Sequence, residues 1–248
     1  MSQLARAVRP LLIACAFLTR LPVSPRDVQE TELGRAAACF PLVGFALGAL
    51  SFGTYWLAAP RLGPQLTAAL VLALGAGVTG ALHLDGLADW FDAAGARGDR
   101  TRLLEIMRDP RIGAHGASAL VLLLMTKAIA IAQLPQPKLG MALLCAPACG
   151  RCCVVLLACL YPNARADGLG KSFEQHVRSP HALLAGSFTC AGLFWFGTIA
   201  LLPALLSVAT AALLAFWANA RLSGLTGDVY GAAIELAELA FLVACAVR

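Results

Sequence analysis

Charged residues are scarce in this sequence. Only 13% of its 248 residues are Asp, Glu, Lys or Arg, whereas 59% are hydrophobic. A soluble domain has about 25% charged and about 45–50% apolar residues, so this composition excludes an ordinary soluble domain. It predicts a single integral membrane domain over residues 1–248, in contact with a lipid bilayer. The net charge of +5 is then better interpreted loop by loop than as an attraction for nucleic acid, which is not an expected partner.

The sequence also lacks a cysteine pattern typical of a metal site or a disulfide framework. All nine cysteines lie in apolar stretches, and the CxxC of Cys149 and Cys152 has no second Cys or His pair nearby in sequence. A structural zinc site needs four ligands in tetrahedral arrangement. We therefore interpret the cysteines as small buried hydrophobic residues.

Long apolar runs predict an all-α fold, namely a polytopic transmembrane helix bundle with six or seven spans. About 20 apolar residues are needed for a helix to cross a bilayer. The candidate spans are residues 36–58, 66–84, 113–133, 139–161, 182–202, 204–218 and 229–247. The sixth is short, and the seventh contains two glutamates.

The N-terminal segment resembles a signal peptide, with Arg6 and Arg9 before an apolar run. The small-residue stretch that resembles a cleavage site lies inside the apolar run instead of after it. We therefore expect residues 3–19 to form an uncleaved helix at the membrane interface.

Lys and Arg are unevenly distributed between the predicted loops. Residues 1–35, 85–112, 162–181 and 219–228 together contain fourteen of them, and the opposite side of the membrane has three. Loops rich in Lys and Arg stay in the cytoplasm. This distribution predicts a cytoplasmic N-terminus and a cytoplasmic loop at residues 85–112.

Three aspartates stand together at the end of the second predicted span. Asp85, Asp89 and Asp92 are spaced i, i+4, i+7, which places them within about 60° of one another on one face of a helix. Like charges in this arrangement repel each other unless a cation compensates them. Carboxylate oxygens are hard ligands of the kind that Mg²⁺ prefers, so the pattern indicates a divalent-cation site.

A second group of ionisable residues lies in the last predicted helix. Asp228 and Glu235 are seven residues apart, and Glu238 lies about 60° further round the helix. Ionisable groups inside a membrane are costly and usually mark a functional interior. We favour a functional role for Asp228 and Glu235. The alternative is that Glu235 or Glu238 is neutral, or is paired with Arg151 or Lys127 for structural reasons, and for Glu238 both interpretations are open.

Several arginines are candidates for binding phosphate. Arg108 and Arg111 flank a proline turn directly before a predicted span, and guanidinium groups bind phosphate oxygens bidentately. The alternative, that they are ordinary positive-inside anchors, is equally open, and Arg20 shares this ambiguity. Arg151 lies in the middle of a span, where a guanidinium group needs a partner such as a carboxylate.

These segments together resemble the cobalamin synthase family, the adenosylcobinamide-GDP ribazoletransferases of the bacterial inner membrane. The resemblance covers nearly the whole chain, and the pair formed by HLDGLAD and the distant GLTGD is its most specific part. The matching segments are FLTRLP at 17–22, FPLVG at 40–44, HLDGLAD at 83–89 with Asp92, MRD and RIG within 107–113, and GLTGD at 224–228 with Glu235.

The resemblance implies an Mg²⁺-dependent transferase that joins adenosylcobinamide-GDP to α-ribazole or its 5′-phosphate and releases GMP. This is the late nucleotide-loop assembly step of cobalamin biosynthesis. Association with other cobalamin-assembly enzymes or with a second copy of the chain is left open. The expected metal ligands are Asp85, Asp89 and Asp228; the expected catalytic residues are Asp89, Asp92 and Glu235; and the expected phosphate-binding residues are Arg20, Arg108, Arg111 and Arg151.

Two other classes of membrane protein are alternatives. A CDP-alcohol phosphotransferase of lipid synthesis also places aspartates on membrane helices for Mg²⁺, but its Ala-Arg pair is absent from the aspartate helix here. A proton-coupled transporter would use Lys127, Arg151, Glu235 and Glu238 as a relay, although the sequence contains no inverted repeat. A non-catalytic scaffold would leave three neighbouring aspartates uncompensated.

Overall fold

The computed structural model describes residues 3–23, 25–165, 173 and 175–247, and the side chains of residues 3–6 lie outside this description. Regular structure in the described residues is helical apart from one isolated parallel bridge between Asn163 and Leu225, which confirms the predicted all-α class. The helices are α1 Gln3–Leu18, α2 Leu33–Ala38, α3 Phe40–Thr79, α4 Leu82–Gly95, α5 Arg100–Ile106, α6 Ala114–Ala132, α7 Gln136–Leu160, α8 Ser179–Phe194, α9 Leu201–Leu222 and α10 Gly227–Ala246.

Helix α3 reverses direction at Gly63. Its 40 residues would extend about 60 Å as one unbroken helix, yet both of its ends contact the end of α1. The rings of Phe17 and Phe40 are 5.5 Å apart, and the backbone N–H of Arg20 donates a 2.8 Å hydrogen bond to the carbonyl of Val78. Gly63 has φ 74° and ψ 164°, and a proline stands on each side of it. Because L side chains rarely adopt such a positive φ, glycine permits the break.

Within the described residues, five helices are long and apolar enough to cross a membrane, and this finding confirms the predicted bundle. They are α3, α6, α7, α9 with the short 3₁₀ turn before it, and α10. The predicted spans 36–58 and 66–84 fall largely in the two arms of α3, and the predicted span 182–202 begins in the 16-residue α8. The total of six or seven spans depends on the second arm of α3 and on α8, and it stays a prediction. Helix α1 confirms the predicted N-terminal helix, whose interfacial position is untested.

Helix α4 is separate from the apolar span that precedes it. Gly80 and Ala81 both adopt left-handed backbone conformations, with φ 64° and 57°, so α3 ends at Thr79 and a new helix begins at Leu82. The predicted span 66–84 therefore extends too far. The side chain of Arg20 packs directly over Gly80 and occupies the space that a Cβ would need. The aspartates thus lie on a helix with its own direction.

The buried centre of the bundle consists largely of α7 and α10. Helix α10 contacts α4, α7 and α9. Its start approaches α4 closely, because a Cβ on Gly86 would come within 2.9 Å of the Asp228 backbone. Glycine at this position allows the helix that carries Asp85 and Asp89 to lie beside the first turn of α10.

Candidate active site

Two predicted metal ligands and two predicted phosphate-binding residues line one pocket. The pocket has a volume of about 490 Å³ and lies between α4, the loop before α6 and one side of α6. Asp85 and Asp89 face it from α4, and Arg108 and Arg111 face it from the loop. The structure therefore places side by side the acidic and basic groups that the sequence assigned to cation and phosphate.

Asp89 lies in a strongly negative environment. Its burial, followed by the charges of Asp228 and Asp85, raises the pKa of the Asp89 carboxyl group to about 7. Each of these causes disfavours the ionised form. A cation bound among these carboxylates would offset the repulsion that raises this pKa.

Asp228 is held by an arginine that the sequence analysis did not select. Nη2 of Arg165 donates to Oδ2 of Asp228 at 2.8 Å, and the Thr226 hydroxyl donates to the same oxygen at 3.3 Å. The loop after α7 is joined to the segment before α10 by two 2.8 Å backbone hydrogen bonds, from Ala164 to Leu225 and from Leu225 to Pro162. These bonds fix Arg165 beside the start of α10.

The donor set fits Mg²⁺ without forming a closed cage. Within the described part of the chain, no three His, Cys, Asp or Glu side chains converge on one position that could hold a metal ion. Mg²⁺ is often bound by only one or two carboxylates, with water and substrate phosphates as the other ligands. Asp85 and Asp89 lie on one wall of the pocket, and Asp228 is close enough to raise the pKa of Asp89. This arrangement suits an Mg²⁺ ion that binds a few carboxylates and completes its coordination with water and substrate phosphates. The assignment of all three aspartates to Mg²⁺ stays a prediction.

Asp92 connects α4 to the start of α6. Its Oδ2 accepts a 2.7 Å hydrogen bond from the backbone N–H of Gly113, and its Oδ1 accepts a 2.8 Å bond from Gly116. N–H groups at the start of a helix have no partner within the helix, and a negative charge there is favourable. Both oxygens of this predicted catalytic residue therefore make a structural contact, and its catalytic role stays a prediction.

Glu235 and Arg151 belong to a buried charge cluster deeper in the bundle. Lys127 donates to Glu235 at 2.6 Å and to Glu238 at 2.8 Å, and Arg151 donates to Glu238 at 2.5 Å. The four side chains are between 3% and 14% exposed. The expectation that Arg151 needs a carboxylate partner is confirmed, and Glu238 is that partner. Glu235 lies seven positions after Asp228 in α10, which is about 10 Å along the helix axis.

The predicted phosphate-binding arginines differ in their surroundings. Arg111 makes a bidentate ion pair with Asp109, with distances of 2.9 and 2.6 Å, and these hydrogen bonds lower the pKa of Asp109 to about 2. The Arg111 side chain is 85% exposed, so a phosphate can reach it. Arg20 lies instead over Gly80 before α4, and Arg151 is paired in the buried cluster.

Arg165, Arg100 and Arg221 have contacts that sequence reasoning did not identify. Arg100 donates to the carbonyl of Leu222 at 2.6 Å and also to that of Ala164, and Arg221 donates to the end of α4. All three lie in predicted cytoplasmic loops, where basic residues are expected in any membrane protein. Loop position and charge were the only signals, and they do not identify the partner.

The chain is similar to known proteins over nearly its whole length. Residues 10–246 match the family model described as cobalamin-5-phosphate synthase. A protein of Pseudomonas paraeruginosa named adenosylcobinamide-GDP ribazoletransferase is 44% identical, with 97% of this chain and 98% of the relative covered. Relatives with the same name from Stutzerimonas stutzeri and Desulfitobacterium hafniense are 41% and 37% identical, with 96% of this chain covered in each case and 98% and 96% of the relatives. No solved structure matches the chain.

Proposed function

The chain belongs to the cobalamin-5-phosphate synthase family, and from this premise we propose that it joins adenosylcobinamide-GDP to α-ribazole or α-ribazole 5′-phosphate, with release of GMP. Family membership confirms the resemblance seen in the sequence and makes the protein an enzyme of cobalamin assembly. It favours this reaction over the lipid-synthesis and transporter alternatives. The proposal rests chiefly on the pocket that Asp85, Asp89, Arg108 and Arg111 line together.

The reaction has three chemical requirements. A ribose hydroxyl oxygen forms a bond to the corrinoid-side phosphorus of the diphosphate, the bond from that phosphorus to the oxygen that bridges to GMP breaks, and the hydroxyl proton is lost. The site must therefore neutralise the diphosphate, stabilise the leaving GMP and orient the attacking hydroxyl. A pocket that combines carboxylates with guanidinium groups contains the side chains needed for the first two tasks.

We assign Asp85, Asp89 and Asp228 to Mg²⁺. Bound there, the cation would offset the negative charge of the diphosphate and of the leaving group. The three aspartates come from two helices whose close approach at Gly86 sets their spacing. We propose that Asp89 contributes to catalysis as a ligand of this cation. Its carboxyl group must be ionised before it can bind the metal.

Arg108 and Arg111 are proposed to bind the guanylate phosphates. Arg111 already holds the two oxygens of Asp109 bidentately at the pocket edge, and a phosphate presents a similar pair of oxygens.

Asp92 and Glu235 are proposed as positioning residues. Asp92 holds α4 against α6 through backbone N–H groups, and Glu235 fixes α10 through Lys127.

The assignment is tested by isosteric substitution in detergent-purified protein. Asp85→Asn or Asp89→Asn should lower GMP release by roughly 100-fold or more, because a single strong electrostatic contact in an active site contributes about this much. Glu105→Gln is the matched control, since Glu105 is an exposed partner of Arg102 on α5. Near-normal turnover by either aspartate variant, in protein that melts like the wild type, would contradict the assignment of that aspartate to Mg²⁺.

We also propose that the protein resides in the bacterial inner membrane with this pocket facing the cytoplasm. The support is the fourteen-to-three distribution of Lys and Arg between the predicted sides. The pocket includes residues of the loop between α5 and α6, which carries Arg108 and Arg111. Nucleotide substrates are available on that side. Association with other cobalamin-assembly enzymes or with a second copy of the chain stays a prediction.

A further inference from the structure

Arg165 places a positive charge among the carboxylates of the candidate site. Its guanidinium group contacts Asp228, and both side chains are only about one fifth exposed, at 22% and 19%. The same charge acts on Asp89, where it lowers the pKa against the opposing effects of burial and the neighbouring aspartates. Arg165 therefore offsets part of the negative charge of the aspartates that α4 and α10 bring together.

The backbone around Arg165 is fixed, whereas its guanidinium group has unused hydrogen-bonding capacity. The Arg165 N–H donates to Oδ1 of Asn163 at 2.8 Å, and Asn163 is bridged to Leu225. Nε of Arg165 is buried, and no described residue accepts a hydrogen bond from it. A guanidinium group has five N–H donors in a planar fork that matches two phosphate oxygens. The donors left over are thus suited to an oxyanion at the edge of the acidic site.

A divalent cation and this guanidinium group compete for the same carboxylate. Both are positive, so a cation bound to Asp228 repels Arg165 and weakens the 2.8 Å contact. An incoming diphosphate changes the balance, because it offers the displaced guanidinium group new acceptor oxygens. Binding of the cation alone is then opposed by Arg165, and binding of cation and diphosphate together is supported by it.

We propose that Arg165 couples metal binding to nucleotide binding: it holds Asp228 in the empty enzyme and transfers to a phosphate of the guanosine diphosphate group when Mg²⁺ arrives. This inference rests on the proposed function, since it requires that Asp228 and its neighbours bind the cation. The coupling is reciprocal: if the diphosphate increases the affinity of the enzyme for Mg²⁺, then Mg²⁺ increases the affinity for the diphosphate by the same factor. The enzyme would thereby avoid holding a tightly bound cation before its substrate is present.

The test is Mg²⁺ binding by isothermal titration calorimetry to the full-length protein in detergent, with and without GDP as the probe. Arg165→Met should bind Mg²⁺ alone about 5-fold to 10-fold more tightly than the wild type, which is the lower range of typical coupling. GDP should strengthen Mg²⁺ binding in the wild type and do so much less in the variant. Arg97→Met, which removes an exposed loop arginine, should behave like the wild type.

The outcomes separate this inference from the proposed function. If Asp85→Asn weakens Mg²⁺ binding while Arg165→Met leaves both the Mg²⁺ affinity and the GDP effect unchanged, the coupling is wrong and the metal site stands. If neither wild type nor Arg165→Met binds Mg²⁺ with or without GDP, both proposals are overturned. Should Arg165→Met fail to fold, Arg165→Lys keeps the charge. It should bind Mg²⁺ alone like the wild type and show a smaller GDP effect, and an undiminished GDP effect would contradict the inference.

Discussion

The carboxyl group of Asp89 titrates near neutral pH. Burial and the charges of Asp228 and Asp85 raise its pKa from 3.8 to about 7. Because the folded protein binds this proton more tightly than the unfolded chain does, ionisation of Asp89 opposes folding increasingly as the pH rises from about 4 to about 7. A cation bound at the site would remove much of this penalty, since it stabilises the ionised form.

Magnesium affinity should therefore depend on pH. Mg²⁺ must displace the proton from Asp89, so its apparent affinity should rise by up to about tenfold per pH unit below about pH 7 and level off above it. Calorimetric titrations between about pH 5 and about pH 9 would measure this, and Asp89→Asn should lack this component of the pH dependence. Equal wild-type affinity across that range would show that Asp89 does not bind the metal.

Asp92 is expected to contribute to stability more than to metal binding. Asp92→Ala removes two acceptors from the start of α6 and should destabilise the protein by about 1–2 kcal/mol, as loss of a helix cap does. Thermal melting in detergent measures this loss, and Asp92→Asn, which keeps one oxygen, should lose less. Loss of Mg²⁺ binding with unchanged melting would instead make Asp92 a ligand.

At the scale of helices, the buried charge cluster sets the position of α10. The two acids lie on α10, Lys127 comes from α6 and Arg151 from α7. A sliding of α10 by one turn would separate these pairs and leave charges unpaired in a buried region, which is strongly unfavourable. The same helix carries Asp228 in its first turn, so the cluster also fixes this aspartate relative to α4.

Single and double substitutions in this cluster should differ in how much stability they cost. Lys127→Met leaves Glu235 without its 2.6 Å partner and should cost about 3–5 kcal/mol of stability. The double variant Lys127→Met, Glu235→Leu removes both members of that pair and should recover a large part of the loss. Melting temperatures of the two variants decide this, and a double variant as unstable as the single one would mean that the pair does not act as a unit.

Local sequence patterns predicted the helices better than the connections between them. The i, i+4, i+7 spacing correctly placed Asp85 and Asp89 on one helix, because helical periodicity is a local property. The break at Gly63 was predicted only as a gap between two spans, and the end of α3 at Thr79 was missed. The pair Arg165–Asp228 joins residues 63 positions apart and was not predicted. A carboxylate partner for Arg151 was predicted, but its identity as Glu238, 87 positions away, depends on tertiary packing that no local pattern records.

At the scale of the whole molecule, the orientation in the membrane can be measured by cysteine labelling. Arg97 and Gln136 are both exposed and lie near opposite ends of α6. In intact cells a membrane-impermeant maleimide should label Gln136→Cys and leave Arg97→Cys unlabelled until the membrane is opened. Labelling of the native cysteines is the background signal, and it is measured on the unsubstituted protein. The reverse labelling pattern would place the candidate pocket outside the cytoplasm.

The central claim is that the acidic pocket uses Mg²⁺ to transfer the corrinoid phosphoryl group. Its most direct test is GMP release by the purified protein from adenosylcobinamide-GDP and α-ribazole, measured with Mg²⁺ and after its removal by a chelator. We predict release only when Mg²⁺ is present, restoration when Mg²⁺ is added back, and little release from Asp89→Asn under either condition. Equal GMP release with and without the metal would contradict the account.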